Sequence, residues 1–153
     1  MKELKDMSLE ELWHLFPIVL VDYNQEWINY YQEMKELLLK LLINNHLHQI
    51  HHIGSTSIKN IKSKNIIDIL IEIDNYDNNI NNIITILTSN NFILMNQTTT
   101  RASLNYGYTK YGYEEKVYHI HLRHVNDNKE IYFRDYLNEF EDVKLADNGK
   151  LKM

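Results

Sequence analysis

The chain has 153 residues, with 16 Lys and Arg against 21 Asp and Glu for a formal charge of −5, 44% hydrophobic residues and no cysteine. One domain of this length buries a sizeable core without disulfides, and the lack of Cys removes thiolate catalysis and thiolate metal sites. The acidic balance excludes a protein that coats double-stranded nucleic acid or an anionic membrane, because both need an excess of Lys and Arg, but it leaves room for a small anionic ligand held locally. No apolar run reaches the roughly 18 residues of a membrane span, and the first residues mix both charge signs, so a cytoplasmic location is expected.

Ser8-Leu9-Glu10-Glu11 has the form of a capping box, and Leu9, Leu12, Trp13 and Phe16 follow at helical spacing until Pro17, which predicts a short helix over 8–16. Ile18 to Val21 reads as a short strand, and Asp22 to Glu26 as a turn in which Asn24 caps the next helix. Trp27, Tyr31, Met34, Leu38 and Leu41 recur at steps of four and three, predicting a long amphipathic helix over 25–43. His48 to Ile53 and Asn65 to Ile73 read as strands joined by a polar connection with Lys59, Lys62 and Lys64. The Asn/Asp-rich stretch 74–82 reads as a loop leading into a helix that carries Ile80, Ile83, Ile84 and Leu87. Strands are expected over 92–95, 102–106 and 116–123, with Gly107 and Gly112 marking the turn between the last two. A final helix spans 127–140, and 142–153 has no clear pattern. With only four Gly and one Pro, most turns must be built by Asn and Asp.

The chemistry concentrates where a strand ends in Gly54-Ser55 and the next strand carries Asp68. Glycine lets backbone approach a phosphate, serine adds a hydroxyl, and a carboxylate can hold a divalent cation that bridges phosphates. A plain turn with Ser55 or Thr56 as a helix cap is the simpler explanation of the same residues. His119 and His121 alternate on one strand and so share a face, about 6.6 Å apart. With Asp68 they can make a two-His, one-carboxylate metal site, or they can pack and titrate separately. Arg134 can clamp a phosphate or pair with a helix neighbour. Lys64 belongs to the basic cluster near Gly54 and can focus an anion there. Tyr106, Tyr108, Tyr111, Tyr113 and Tyr118 can pack in the sheet or stack on a base.

The blocks His52-Ile53-Gly54-Ser55-Thr56-Ser57, Lys64-Asn65-Ile66-Ile67-Asp68-Ile69, Tyr118-His119-Ile120-His121-Leu122 and Phe133-Arg134-Asp135-Tyr136-Leu137, in that order, resemble the GrpB family. Ser8 to Trp13 and Asp22-Tyr23-Asn24 resemble that family's N-terminal segment, so the resemblance covers nearly the whole chain. It implies a single α+β domain with the nucleotidyltransferase-like mixed sheet of the DNA polymerase beta superfamily, flanked by helices. The family continues past the last of these blocks, so the chain is expected to be short at its C-terminal end.

The function implied is transfer of a nucleotidyl group from a nucleoside triphosphate to an unknown acceptor. Asp68 would then hold Mg2+, Gly54, Ser55, Lys64 and Arg134 would meet the phosphates, and His121 or Glu72 would act as general base. The alternative is a catalytically inactive domain that binds a nucleotide or phosphorylated metabolite. Active enzymes of this fold carry a second carboxylate two residues after the first, to grip cations about 3.5–4 Å apart. Leu70 stands there, and Glu72 lies about 13 Å from Asp68 along an extended strand.

Overall fold

A computed structural model describes residues 2–140, so residues 142–153 and any segment beyond the last helix lie outside the described residues. The predicted N-terminal helix is α1 (Leu9–Leu15), and its capping box is complete: Ser8 Oγ accepts from the Glu11 N–H while the Glu11 carboxylate accepts from the Ser8 N–H. Strand β1 (Leu20–Val21) leads through Asn24, whose Oδ1 accepts from the Glu26 N–H at 2.9 Å, into α2 (Glu26–Leu41). Then come β2 (Leu47–Ile53), β3 (Ser63–Lys64), β4 (Ile67–Ile73), α3 (Tyr76–Thr88), β5 (Ile93–Gln97), β6 (Arg101–Thr109), β7 (Gly112–His124) and α4 (Lys129–Glu139).

Five strands form a sheet in the order β2-β4-β7-β6-β5, in which only β4 and β7 run parallel. The sheet is therefore mixed, the strand carrying Asp68 lies beside the strand that ends at Gly54, and the whole is an α+β arrangement of the kind the resemblance implied. β1 and β3 pair separately as a two-stranded ribbon, with Leu20 opposite Lys64.

Alternation divides the sheet into two unlike faces. Ile67, Ile69, Ile71 and Ile73 of β4 join Tyr118, Ile120 and Leu122 of β7 under α2 and α3, where Trp27, Met34, Leu38, Ile83 and Leu87 complete the core. The register puts Asp68, Leu70 and Glu72 on the other face beside His119, His121 and Arg123, with Asn105 and Ser103 of β6 next in line. Among the described residues no helix is long and apolar enough to cross a membrane.

Two expectations need correction. The Asn/Asp-rich stretch is helical from Tyr76 onward, because Tyr76 extends the apolar stripe back from Ile80 and the left-handed Asn75 (φ 49°) starts the helix abruptly. Gly107 does not mark a turn. It sits inside β6 at a bulge between Tyr106 and Tyr108, and Lys110 and Tyr111 make the turn. A side chain at position 107 would meet the Lys116 carbonyl at 2.5 Å.

Gly54 is the tightest joint between β2 and β4. Its φ of 73° and ψ of −175° lie in a region open essentially to glycine alone, and a Cβ there would stand 2.6 Å from Asp68 Oδ2. Gly54→Ala is therefore expected to cost about 2 kcal/mol or more of stability, from backbone strain and displacement of Asp68 together, as measured by urea unfolding.

Candidate functional site

β2 closes at Ile53, and Gly54 turns the chain into a short 3-10 turn over Ser55–Ser57. Two hydroxyls fix that turn. Thr56, 1% exposed, joins its Oγ1 to His52 Nε2 at 2.9 Å, and Ser55 Oγ meets Ser63 Oγ at 2.6 Å. Ser63 in turn donates to the Lys64 carbonyl at 2.8 Å, so Ser55 donates to Ser63 and its proton is taken. Ser55 thus ties the turn to the strand that carries Lys64, where the sequence suggested a hydroxyl free for a phosphate.

Asp68 stands at the start of β4, directly beside this turn, with its side chain 28% exposed. Its Oδ2 faces Gly54, while Oδ1 accepts from His121 Nε2 at 3.0 Å and lies 3.7 Å from His119 Nδ1. His119 is held from the other side by Tyr108, whose hydroxyl is 2.6 Å from Nε2. Both contacts are satisfied when His119 carries its proton on Nδ1, toward Asp68, and accepts the Tyr108 hydroxyl proton on Nε2. Burial drives the His119 pKa below its ordinary value, against the pull of Asp68 and with help from the neighbouring His121 and Lys64 charges, so the ring is neutral at pH 7. Burial likewise raises the Tyr108 phenol, which keeps its proton. The result is one polar row, Tyr108, His119, Asp68 and His121, crossing three strands of the open face.

The sequence named Tyr108 only within a group of five tyrosines, for sheet packing or base stacking, and did not join it to the histidines. Strict alternation from Leu104 and Tyr106 puts it on the helix-covered face, but the bulge at Gly107 turns it to the other side. A glycine inside a strand pattern was the available signal.

Other candidates stand elsewhere. Glu72 is 2% exposed, and its carboxylate accepts from the Asn126 N–H (2.7 Å), Asn128 Nδ2 (3.0 Å) and His51 Nε2 (2.7 Å). Burial alone would raise its pKa, but the Asn126 and His51 hydrogen bonds outweigh that and hold it below the usual carboxylate range. It fastens the β7–α4 connection to β4 and is not placed to act as a base. Arg134 donates from Nη1 to the His52 carbonyl at 2.9 Å and from Nε to Asp135, so it caps the free edge of β2 and its guanidinium is not poised to clamp a phosphate. Lys64 is exposed on β3, close enough to His119 to act on its titration.

The two-His, one-carboxylate arrangement is not realised as a metal centre. Both imidazoles turn toward the same Asp68 oxygen, His121 as a hydrogen-bond partner and His119 at 3.7 Å, and among the described residues no group of three or more His, Asp or Glu side chains is disposed to hold a metal ion. Nor do these residues fit a Mg2+ pair. Mg2+ takes oxygen ligands in octahedral geometry, whereas the site offers one carboxylate and two imidazoles, with the fully buried Leu70 beyond it and Glu72 engaged elsewhere.

Residues 17–148 match the family described as GrpB protein. UPF0157 protein YqkA of Bacillus subtilis is 28% identical over 144 residues, 88% of this chain but 40% of that protein, so the chain spans less than half of this relative. Glutamate-rich protein GrpB of Alkalihalophilus pseudofirmus is 28% identical over 140 residues, covering 83% of this chain and 79% of that one. Among solved structures, conserved protein GrpB from Enterococcus faecalis superposes with a TM-score of 0.71 at 23% identity, over 85% of this chain and 78% of that one. Cid1 poly(U) polymerase, in a structure bound to MgATP, superposes with a TM-score of 0.55 at 11% identity, over 81% of this chain and 40% of that one. These likenesses to solved structures establish the fold.

The turn also carries a titrating group. His52 stacks on Tyr31 at 4.9 Å, and burial lowers its pKa to about 4, with Asp68 opposing the shift and Arg134 adding to it. A histidine with a depressed folded pKa contributes stability that is complete above the unfolded value near 6.5 and is lost as pH falls toward 4. Lowering pH from 7 to 5 is therefore expected to cost about 1–2 kcal/mol at His52, allowing for its partial exposure, and His52→Gln is expected to show a correspondingly smaller drop when urea midpoints are compared at the two pH values.

Proposed function

Because the chain belongs to the GrpB family and carries a nucleotidyltransferase-like fold, we propose that it is a nucleotide-binding domain without two-metal transfer. The ligand's phosphates lie beside the Gly54–Ser57 turn and Lys64, with Asp68 and its histidines alongside. The observation that carries this reading is Leu70: it is 0% exposed at the place of the second carboxylate, and the next carboxylate on that face, Glu72, is buried among its own hydrogen bonds. A single carboxylate, hydrogen-bonded to His121 and with His119 close by, does not supply the paired carboxylates that grip two cations. What the fold retains is the Gly54–Ser57 turn and, in a chain of net charge −5, Lys64 on the strand that Ser55 ties to that turn, a charge that favours an anion.

The second reading, nucleotidyl transfer to an unknown acceptor, has one observation in its favour. Asp68 orients His121 through a 3.0 Å hydrogen bond, the relation by which a carboxylate prepares an imidazole to accept a proton. His121 would then be the base, and the phosphates would be balanced by Lys64 and by whatever cation travels with the nucleotide.

Thermal unfolding with ATP and with UTP, each with and without Mg2+, separates the two when paired with an assay for released pyrophosphate. A ligand at 100 times its Kd adds about 2.7 kcal/mol, which for a domain of this size raises Tm by about 2–4 °C per kcal/mol. The expected outcome is a Tm increase that Lys64→Ala diminishes, with pyrophosphate at background. Sustained pyrophosphate release would select the transfer reading, and no shift with either nucleotide would overturn the binding reading.

A further inference from the structure

A cavity of about 430 Å³ lies between α1 and the β5–β6 edge of the open face, next to the polar row. Its walls include Trp13 of α1, Phe16 just past the end of α1, and Ile93, Asn105 and Tyr108 from the sheet, with Leu9 at the same opening. Tyr108 borders both the slot and the polar row: its hydroxyl binds His119, and its ring packs against Phe16 with centroids 5.0 Å apart. Asn105 stands opposite His119 in the β6–β7 register, so it shares the face of Asp68, and its side-chain amide has no hydrogen-bond partner among the described residues. Leu9 and Trp13 remain 67% and 69% exposed although they sit on the helix that covers this part of the sheet. α1 is thus seated on the sheet by Phe16 while its outer apolar residues border an open slot.

We propose that this slot is the ring pocket of the nucleotide site, taking the base of a nucleoside triphosphate whose phosphates lie at the Gly54 turn. The inference rests on the nucleotide-binding reading and adds to it where the base goes. Three features select a planar heterocycle as the occupant. The slot offers aromatic faces for stacking, which any base can use. It has one amide, Asn105, able to donate and accept toward a base edge, in walls that are apolar apart from Lys5 and Tyr108. Finally, Gly54 and Asn105 lie three strand spacings apart across β2, β4, β7 and β6, about 14 Å, a reach that an extended nucleoside triphosphate covers with its ribose over Asp68 and His119.

The two tryptophans provide the readout. Trp27 is 0% exposed and Trp13 is 69% exposed, so acrylamide quenching of the full chain reports Trp13. ATP and inorganic tripolyphosphate are compared, each with thermal unfolding as the independent measure of binding. The expected result is that both raise Tm but only ATP shields Trp13 from acrylamide, and that Asn105→Leu weakens ATP about tenfold while leaving tripolyphosphate unchanged. If ATP raises Tm and leaves Trp13 as accessible as before, or if tripolyphosphate shields it equally, the ring pocket is overturned while nucleotide binding stands. If neither compound raises Tm, both readings fall together.

Discussion

The Asp68 carboxylate is where three strands meet on the open face. One oxygen occupies the space a side chain on Gly54 would need at the end of β2, the other receives His121 and faces His119 from β7, and the side chain itself rises from β4. The local backbone is built around that contact. Gly54 takes a conformation that other residues resist, and no side chain there could coexist with Asp68 in its present place. The charge in turn has His121 as a hydrogen-bond donor, His119 close by and a partly exposed side chain, conditions under which a partly buried carboxylate is tolerated.

The rest of the sheet makes this polar row possible by putting the apolar work on the other face. Nearly every large buried side chain of β4 and β7 points toward α2 and α3, so the opposite face is free to carry Asp68, His119 and His121 without loss of core. Farther along the same strands the polar pattern continues, but with a structural use. Arg123 pairs with Glu130 at 2.8 Å, and Glu72 receives Asn126 and Asn128, so that α4 is fastened to the sheet. The same two strands thus place site residues near one end and anchoring residues near the other. Side-chain type alone does not distinguish them; burial and partners do.

Much of this could be read from the amino-acid order. The capping box at Ser8, the four-and-three spacing from Trp27 to Leu38 and the β-branched run into β4 each specify an element by local physics, and each element formed there. The alternation of His119 with Ile120 and His121 with Leu122 placed both histidines on the Asp68 face. What was not legible depended on partners distant in sequence. Ser55 gives its proton to Ser63, Arg134 reaches 82 residues back to the His52 carbonyl, and Glu72 is claimed by a loop 54 residues ahead. The link from Tyr108 to His119 was hidden because a one-residue bulge reverses every later side chain on its strand. Asn and Asp misled over 74–82, where their loop preference yields to an apolar stripe that α3 can bury only as a helix.

Asp68 organises the site through its hydrogen bond to His121 and its charge beside His119, and does not serve as half of a two-cation grip. Imidazole nitrogen NMR of the 15N-labelled protein, titrated with Mg2+ to millimolar concentration, tests it directly. The structure predicts that His121 keeps a proton on Nε2 throughout, that His119 keeps its proton on Nδ1, and that Asp68→Asn shifts both rings without unfolding the chain. Saturable movement of both imidazole signals with Mg2+, abolished by Asp68→Asn, would show the carboxylate leaving the rings for a metal and would contradict it.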